Sequence, residues 1–216
     1  MLKGAIFDMD GLLFNTEKVY KNSWMETAKF YGKDFGFELA EAVSGAGEAG
    51  CREAIHRFYP DVDVTEFFMH VVNTARKTFE NGVEMMAGVE EILELFKASG
   101  AKMAVASSSD IEVITNNLRR ADIGKYFDAV ISGDQVANGK PAPDIFLKAA
   151  AAINLAPEDC YVFEDSFNGI RGAKAAGCTP IMIPDTTQPT DEIKKLCAGI
   201  YSSLNDAAGA IRRGEI

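Results

Sequence analysis

Five short apolar runs constrain this chain more than anything else in it: Gly4 to Phe7, Met103 to Ala106, Ala129 to Ile131, Tyr161 to Phe163 and Ile181 to Ile183. Each run is continuous rather than alternating, so a strand made from it must be buried on both faces, as in a parallel sheet. Between the runs lie segments of helical period, such as Val89, Ile92, Leu93 and Phe96, closed by Gly100, and Ile145, Phe146, Ala149, Ala150 and Ile153. Strand and helix in alternation predict an open α/β sheet with helices on both faces. The rhythm breaks once. From about Thr16 to Gly82 the pattern is helical, with stretches at Val19 to Tyr31, Glu48 to Tyr59 and Val64 to Phe79 and no convincing strand. An inserted helical domain is therefore expected after the first strand, with its two connections near Phe14–Asn15 and Asn81–Val83 as paired hinges. The expected division is residues 1–14 and 83–216 for the α/β domain and 15–82 for the helical one.

A chain of 216 residues with 47% hydrophobic and 25% charged residues can bury a sizeable core without staples. The net charge of −10 disfavours nucleic acid as a partner. It also means that an anionic substrate would need local cations or a metal. The four cysteines, Cys51, Cys160, Cys178 and Cys197, have no CxxC spacing, which predicts reduced thiols rather than a disulfide framework or a zinc site. No stretch approaches the roughly 18 apolar residues of a membrane span, so a soluble, cytoplasmic protein with no membrane partner is expected. A monomer is the expectation for the assembly, with an oligomer left open.

In an open parallel sheet, ligands bind beyond the carboxyl ends of the strands. The first run is followed by Asp8-Met9-Asp10-Gly11, the second by Ser107-Ser108-Ser109-Asp110, the third by Ser132-Gly133-Asp134 and then Gly139-Lys140-Pro141, and the fourth by Glu164-Asp165-Ser166. Asp8, Asp10, Glu164 and Asp165 would gather at one edge, where like charges resist joint ionisation. A divalent cation relieves that conflict, and an oxygen-only ligand set selects a hard ion such as Mg²⁺. Ser107 and Ser108 would offer donors to a bound anion, while Ser109 or Asp110 reads equally well as a helix cap. Lys140 is a single cation among acids, placed to neutralise an anion. A carboxylate able to attack, a second carboxylate beside it, a hard metal, hydroxyl donors and a lysine make a phosphoryl-transfer set.

The spans FDMDGLLFNTE, VASSSD, GKPAPDIF and VFEDSFNGIRGAKAAG resemble, in order, the four motifs of the haloacid dehalogenase superfamily, and within it the β-phosphoglucomutase-like phosphatases. The resemblance implies a Rossmann-like parallel sheet core with an inserted all-helical cap domain. It also implies Mg²⁺-dependent hydrolysis of a small phosphorylated metabolite, sugar phosphates included, through an aspartyl-phosphate intermediate. On this resemblance Asp8 is the nucleophile and Asp10 the acid and base. Ser107, Ser108 and Lys140 hold the phosphoryl oxygens, and Asp8, Asp165, the Asp10 carbonyl and Glu164 surround the metal, Glu164 as a ligand or a partner behind it.

Three departures from that group bear on activity. Asn15 stands where Asp is usual, Tyr20 where the mutases have His, and Glu48, after Gly45, where they have Arg. Without a cation to grip a second phosphate, a hydrolase is favoured over a sugar-phosphate mutase. A phospho-acceptor regulatory module is a further alternative, but its acidic pair would come first in the chain and its lysine last. In the helical insert, Tyr20, Lys21 and the turn Ser44-Gly45-Ala46-Gly47 are candidates to face substrate. His56 and His70 read as surface or packing residues, and Trp24, Phe30, Phe35, Phe37, Phe67 and Phe68 as core of the insert.

Overall fold

The computed structural model describes residues 3–43, 46–185 and 188–216. The chain divides into two compact units, Met1–Asn15 with Glu84–Ile216, and Thr16–Val83. The division falls one residue later at each connection than the sequence suggests. Asn15 N–H donates to Glu84 O at 2.9 Å and Met86 N–H to Leu13 O at 2.9 Å, so the α/β unit's own backbone clasps both ends of the insertion.

The first unit is built on six strands, β1 (Gly4–Phe7), β2 (Lys102–Ser107), β3 (Ala129–Ser132), β4 (Cys160–Glu164), β5 (Thr179–Met182) and β6 (Gly199–Ile200). All neighbours are parallel, in the order β3-β2-β1-β4-β5-β6. Two details differ from the sequence reading. The fifth strand starts two residues earlier, because Thr179 and Pro180 pair with Tyr161 and Val162. A sixth, two-residue strand adds to the edge, too short to leave an apolar run of its own.

Alternation within the buried strands serves two cores. Ile6, Ala104, Ala106 and Val162 pack with Ile145, Phe146, Ala149 and Ala150 of helix α7 (Asp144–Ala152). On the other face Phe7 lies flat on Phe163 at 4.9 Å and meets Phe96 of helix α5 (Val89–Ala98) edge-on. Full burial of a Phe side chain is worth about 1.5–3 kcal/mol, so Phe7, Phe96 and Phe163 anchor β1 and β4 beside each other. Helices α6 (Ile111–Arg120), α8 (Phe167–Ala175), α9 (Asp191–Leu196) and α10 (Leu204–Arg213) complete this unit. On α9, Lys194 pairs with Asp191 at 3.0 Å, three residues apart on one helix face.

The second unit consists of α1 (Thr16–Phe30), α2 (Phe37–Val43), α3 (Glu48–Phe58) and α4 (Val64–Asn81). Its core holds Trp24, Ala28, Leu39, Ile55, Tyr59, Phe67 and Val71, with Phe35 and Phe68 partly buried around it. Phe30 and Phe37 are a correction. They are 71% and 81% exposed, since each lies at a helix end where the apolar stripe has left the core. His70 stacks against Phe30 at 4.6 Å and shares a hydrogen bond with Thr27 at 3.0 Å, a packing role, and His56 is exposed. Cys51, Cys160 and Cys178 are buried free thiols and Cys197 is half-buried; burial raises the thiol pKa of all four. Among the described residues, no helix is long and apolar enough to cross a membrane.

Candidate active site

The strand order reverses direction around β1, whose neighbours β2 and β4 lie on opposite sides of it, the switch point at which ligands of such sheets bind. Asp8 sits there because the ladder carries it: its N–H donates to Phe163 O at 3.0 Å, one step beyond the last paired residues Phe7 and Phe163. Glu164 is carried to the same edge by β4, its carbonyl accepting from Ile183 N–H at 2.8 Å. Both side chains are buried.

Lys140 enters from the loop before α7 and spends its ammonium on three acceptors: Asp8 Oδ1, Glu164 Oε1 at 2.6 Å and Ala106 O at 3.1 Å. It is one buried cation between two buried carboxylates, which offsets a large part of their desolvation cost. Burial disfavours the Lys140 charge, but Asp8 and Glu164 outweigh it and raise the ammonium pKa. The second Glu164 oxygen accepts from the Ser166 N–H at 3.0 Å and hydroxyl at 2.8 Å.

Asp10 faces another set of partners. Its Oδ2 accepts from the hydroxyls of Ser107 at 3.0 Å and Ser109 at 2.8 Å, and the Ser109 N–H donates to Ser107 Oγ at 3.1 Å. Ser109 was open to a capping role from sequence; its hydroxyl goes to Asp10 instead. Asp110 occupies the N-cap position of α6 without a side-chain cap bond. Ser108 is exposed and its backbone packs against Gly133, where an added Cβ would lie 2.7 Å from Ser108 O. Beside Ser107 on β3, Ser132 donates its hydroxyl to Asp134.

Asp165 follows Glu164 and lies against Gly11. The backbone at Gly11 has φ +76°, and a Cβ there would stand 2.5 Å from Asp165 Oδ2 and 3.6 Å from Asp185 Oδ2. Glycine is thus required both by the left-handed turn and by the carboxylates crowding it. Asp185, the first acid after β5, is a member of this edge that sequence reading passed over. Reading past the fifth apolar run, as was done for the other four, would have found it.

Asp8, Glu164 and Asp165 each offer an oxygen within 4.8 Å of the others. Three hard oxygen donors against one lysine leave an excess of negative charge, and the set suits a hard divalent ion. The Asp10 carboxylate is not in this group, being turned to the serines. Burial holds the Asp8 carboxyl above the ordinary carboxylate range, against the pull of Lys140 and with help from Glu164 and Asp10. At Asp165, burial and then Glu164 and Asp8 do the same.

This has a measurable sign. In the unfolded chain both aspartates ionise near pH 4. In the folded chain they keep their protons to higher pH, so the associated stability is present below about pH 4 and is lost as pH rises through the raised native values. Lys140 stays charged in both states across that range. The metal-free protein is therefore expected to melt at a lower temperature at pH 9 than at pH 5. Added Mg²⁺ should raise the pH 9 melt more than the pH 5 melt. Calorimetry at the two pH values in EDTA and in Mg²⁺ checks this, and a Tm that climbs from pH 5 to pH 9 in EDTA would contradict it.

Within the helical unit, a cavity of about 290 Å³ is lined by Glu17, Tyr20, Trp24, Glu48, Cys51 and Phe68 among others. Glu48 is tied to Arg52 at 2.8 Å, whose guanidinium also lies over the Phe68 ring. Of the turn named from sequence, Ser44 and Gly45 lie outside the described residues.

Fold and edge together define a class: a Rossmann-like core that gathers buried carboxylates around a lysine at the carboxyl ends of its central strands. The chain belongs to the haloacid dehalogenase-like hydrolase family, which it matches over residues 5–183, and within it to the β-phosphoglucomutase-like phosphatases. It is 32% identical over 219 residues to a phosphorylated carbohydrates phosphatase of Thermotoga maritima, covering 100% of this chain and 93% of that one. It is 31% identical over 175 residues to the fructose-1-phosphate phosphatase YqaB of Escherichia coli, covering 81% and 92% of the two chains. Among solved structures, a candidate β-phosphoglucomutase from Thermotoga maritima superposes with a TM-score of 0.86 at 29% identity, covering 98% of this chain and 99% of that one.

Proposed function

We propose that the protein hydrolyses the phosphate monoester of a small metabolite, a sugar phosphate first among them, through a phosphoenzyme on Asp8. The observation that carries this reading is the convergence of Asp8, Glu164 and Asp165 within 4.8 Å, with Lys140 bridging Asp8 and Glu164. Asp8, Asp165 and the Asp10 carbonyl would hold Mg²⁺, with Glu164, whose two oxygens already accept from Lys140 and Ser166, completing the acidic set. When bound, the ion supplies positive charge to the phosphoryl oxygens and to the carboxylates around it.

An Asp8 oxygen attacks phosphorus in line, the bond from phosphorus to the ester oxygen breaks, and the departing oxygen takes a proton from Asp10. In the second half Asp10 takes a proton from the water that attacks the phosphoryl group, and the bond to Asp8 breaks. The hydroxyls of Ser107 and Ser109, both on Oδ2, fix the Asp10 carboxyl and leave Oδ1 for the proton. Lys140, on Asp8, and Ser107, on Asp10, are placed to turn to phosphoryl oxygens as they arrive, with Ser109 then holding Asp10 Oδ2. Ser108, exposed as it is, would contribute through its backbone N–H.

Relatives named as phosphatases of phosphorylated carbohydrates and of fructose 1-phosphate support the sugar-phosphate class. Hydrolysis rather than mutase chemistry is supported by the sequence of the helical unit, in which Tyr20 and Glu48 stand where the mutases have His and Arg.

Phosphate release from a panel of phosphorylated metabolites, with Mg²⁺ and with EDTA, tests the proposal. Release from one or more sugar phosphates that stops in EDTA is the expected result. Conversion of glucose 1-phosphate to glucose 6-phosphate without net release would replace hydrolase by mutase, and silence in both assays would overturn the phosphatase reading.

A further inference from the structure

We infer that Gly169 is a positioning residue, its missing side chain forming the slot in which the Glu164 carboxylate lies between Lys140 and the first turn of α8. A Cβ at Gly169 would stand 1.8 Å from Glu164 Oε1, 1.9 Å from Cδ and 2.3 Å from Oε2. All three clashes centre on the carboxylate. A surface glutamate would swing aside at little cost, but Glu164 is fully buried and cannot. Its Oε1 accepts from Lys140 at 2.6 Å, and its Oε2 accepts from the Ser166 N–H at 3.0 Å and hydroxyl at 2.8 Å.

Gly169 is itself part of this closed arrangement, since its N–H donates to Ser166 Oγ at 3.0 Å. Glu164, Ser166 and Gly169 thus lock one another, with the carboxylate set at the positive end of α8. The position lies within a right-handed helix, where alanine would ordinarily be the better residue. Space around the carboxylate, not backbone freedom, is what requires glycine here. By fixing Glu164, Gly169 fixes where Lys140 rests beside Asp8.

The test is a double-mutant cycle of Gly169→Ala and Glu164→Ala, read first as thermal melts of the metal-free proteins. Gly169→Ala is expected to lower the Tm of the wild type and not to lower the Tm of Glu164→Ala. The kinetic arm rests on the proposed function: kcat for phosphate release should fall about 10–100-fold in either single variant, with the double variant no worse than the poorer of the two. A wild-type Tm and kcat in Gly169→Ala, or an equal loss of Tm in both backgrounds, would overturn the inference. Should Gly169→Ala alone prove insoluble, a soluble double variant melting like Glu164→Ala supports the slot, and an insoluble one refutes it. If the melts behave as expected while the wild type releases no phosphate, the functional reading fails and the slot stands.

Discussion

An Asp8→Asn protein is expected to fold, to melt no more than a few degrees from the wild type without metal, and to show no measurable phosphate release. The two halves of that result have different causes. Asp8 is a buried carboxylate held above its ordinary pKa by burial and by its acidic neighbours, so an amide of the same shape relieves repulsion while its oxygen still accepts, without the charge, from Lys140. The lysine keeps Glu164 and the Ala106 carbonyl. Catalysis has no such reserve, because an amide oxygen does not replace a carboxylate as the attacking group. A fall of about 10⁴-fold or more is the scale for loss of a nucleophile. Steady-state kinetics beside a melt decides it; a variant that keeps even a tenth of wild-type turnover would remove Asp8 from that role.

Lys140→Met should damage both properties together. The ammonium is the only cation between Asp8 and Glu164 in the described structure, and methionine fills its volume without its charge. Breaking a buried pair from one side costs on the order of 3–5 kcal/mol, because the charges left behind have lost their counter-ion. The loss should be larger at pH 9 than at pH 5, since the Asp8 carboxyl, held above the ordinary carboxylate range, is protonated at the lower pH and needs no counter-ion there. Turnover should drop by about 10²–10³-fold, the scale for removing a placed electrostatic donor. Melts at both pH values and kcat at saturating Mg²⁺ are the measurements. A variant as stable as the wild type at pH 9 would show that the bridge carries little weight.

How far the sequence reached depended on what kind of constraint each residue obeys. The strands were legible because burial on both faces forces continuous apolar runs, and their ends then pointed to Asp8, Asp10, Ser107 and Glu164-Asp165. Lys140 was found as the one cation among those ends, though its two carboxylate partners could not be read from spacing: they lie 132 and 24 residues away in the chain. Ser109 was hidden because a serine before a helix has two satisfactory fates, and only the position of Asp10 decides between them. Gly169 looked like an ordinary helix residue, since nothing local reveals that a carboxylate from the preceding strand needs its space. Phe30 and Phe37 misled for the opposite reason. Their apolar character says they would gain from burial, but a helix terminus turns them away from the core of their unit.

The clasp between Asn15 and Glu84 has a consequence for how such a chain can change over time. Because the α/β unit bonds the two ends of the insertion to each other, the crossover from β1 to α5 is closed by the sheet domain's own backbone, whatever length of chain runs between. Loop-closure entropy grows only slowly with length, so the helices can be lengthened, shortened or exchanged for others while β1 keeps its register and Asp8 its place. Change in the inserted helices and constancy at the Asp8 edge are, in this architecture, separately inherited.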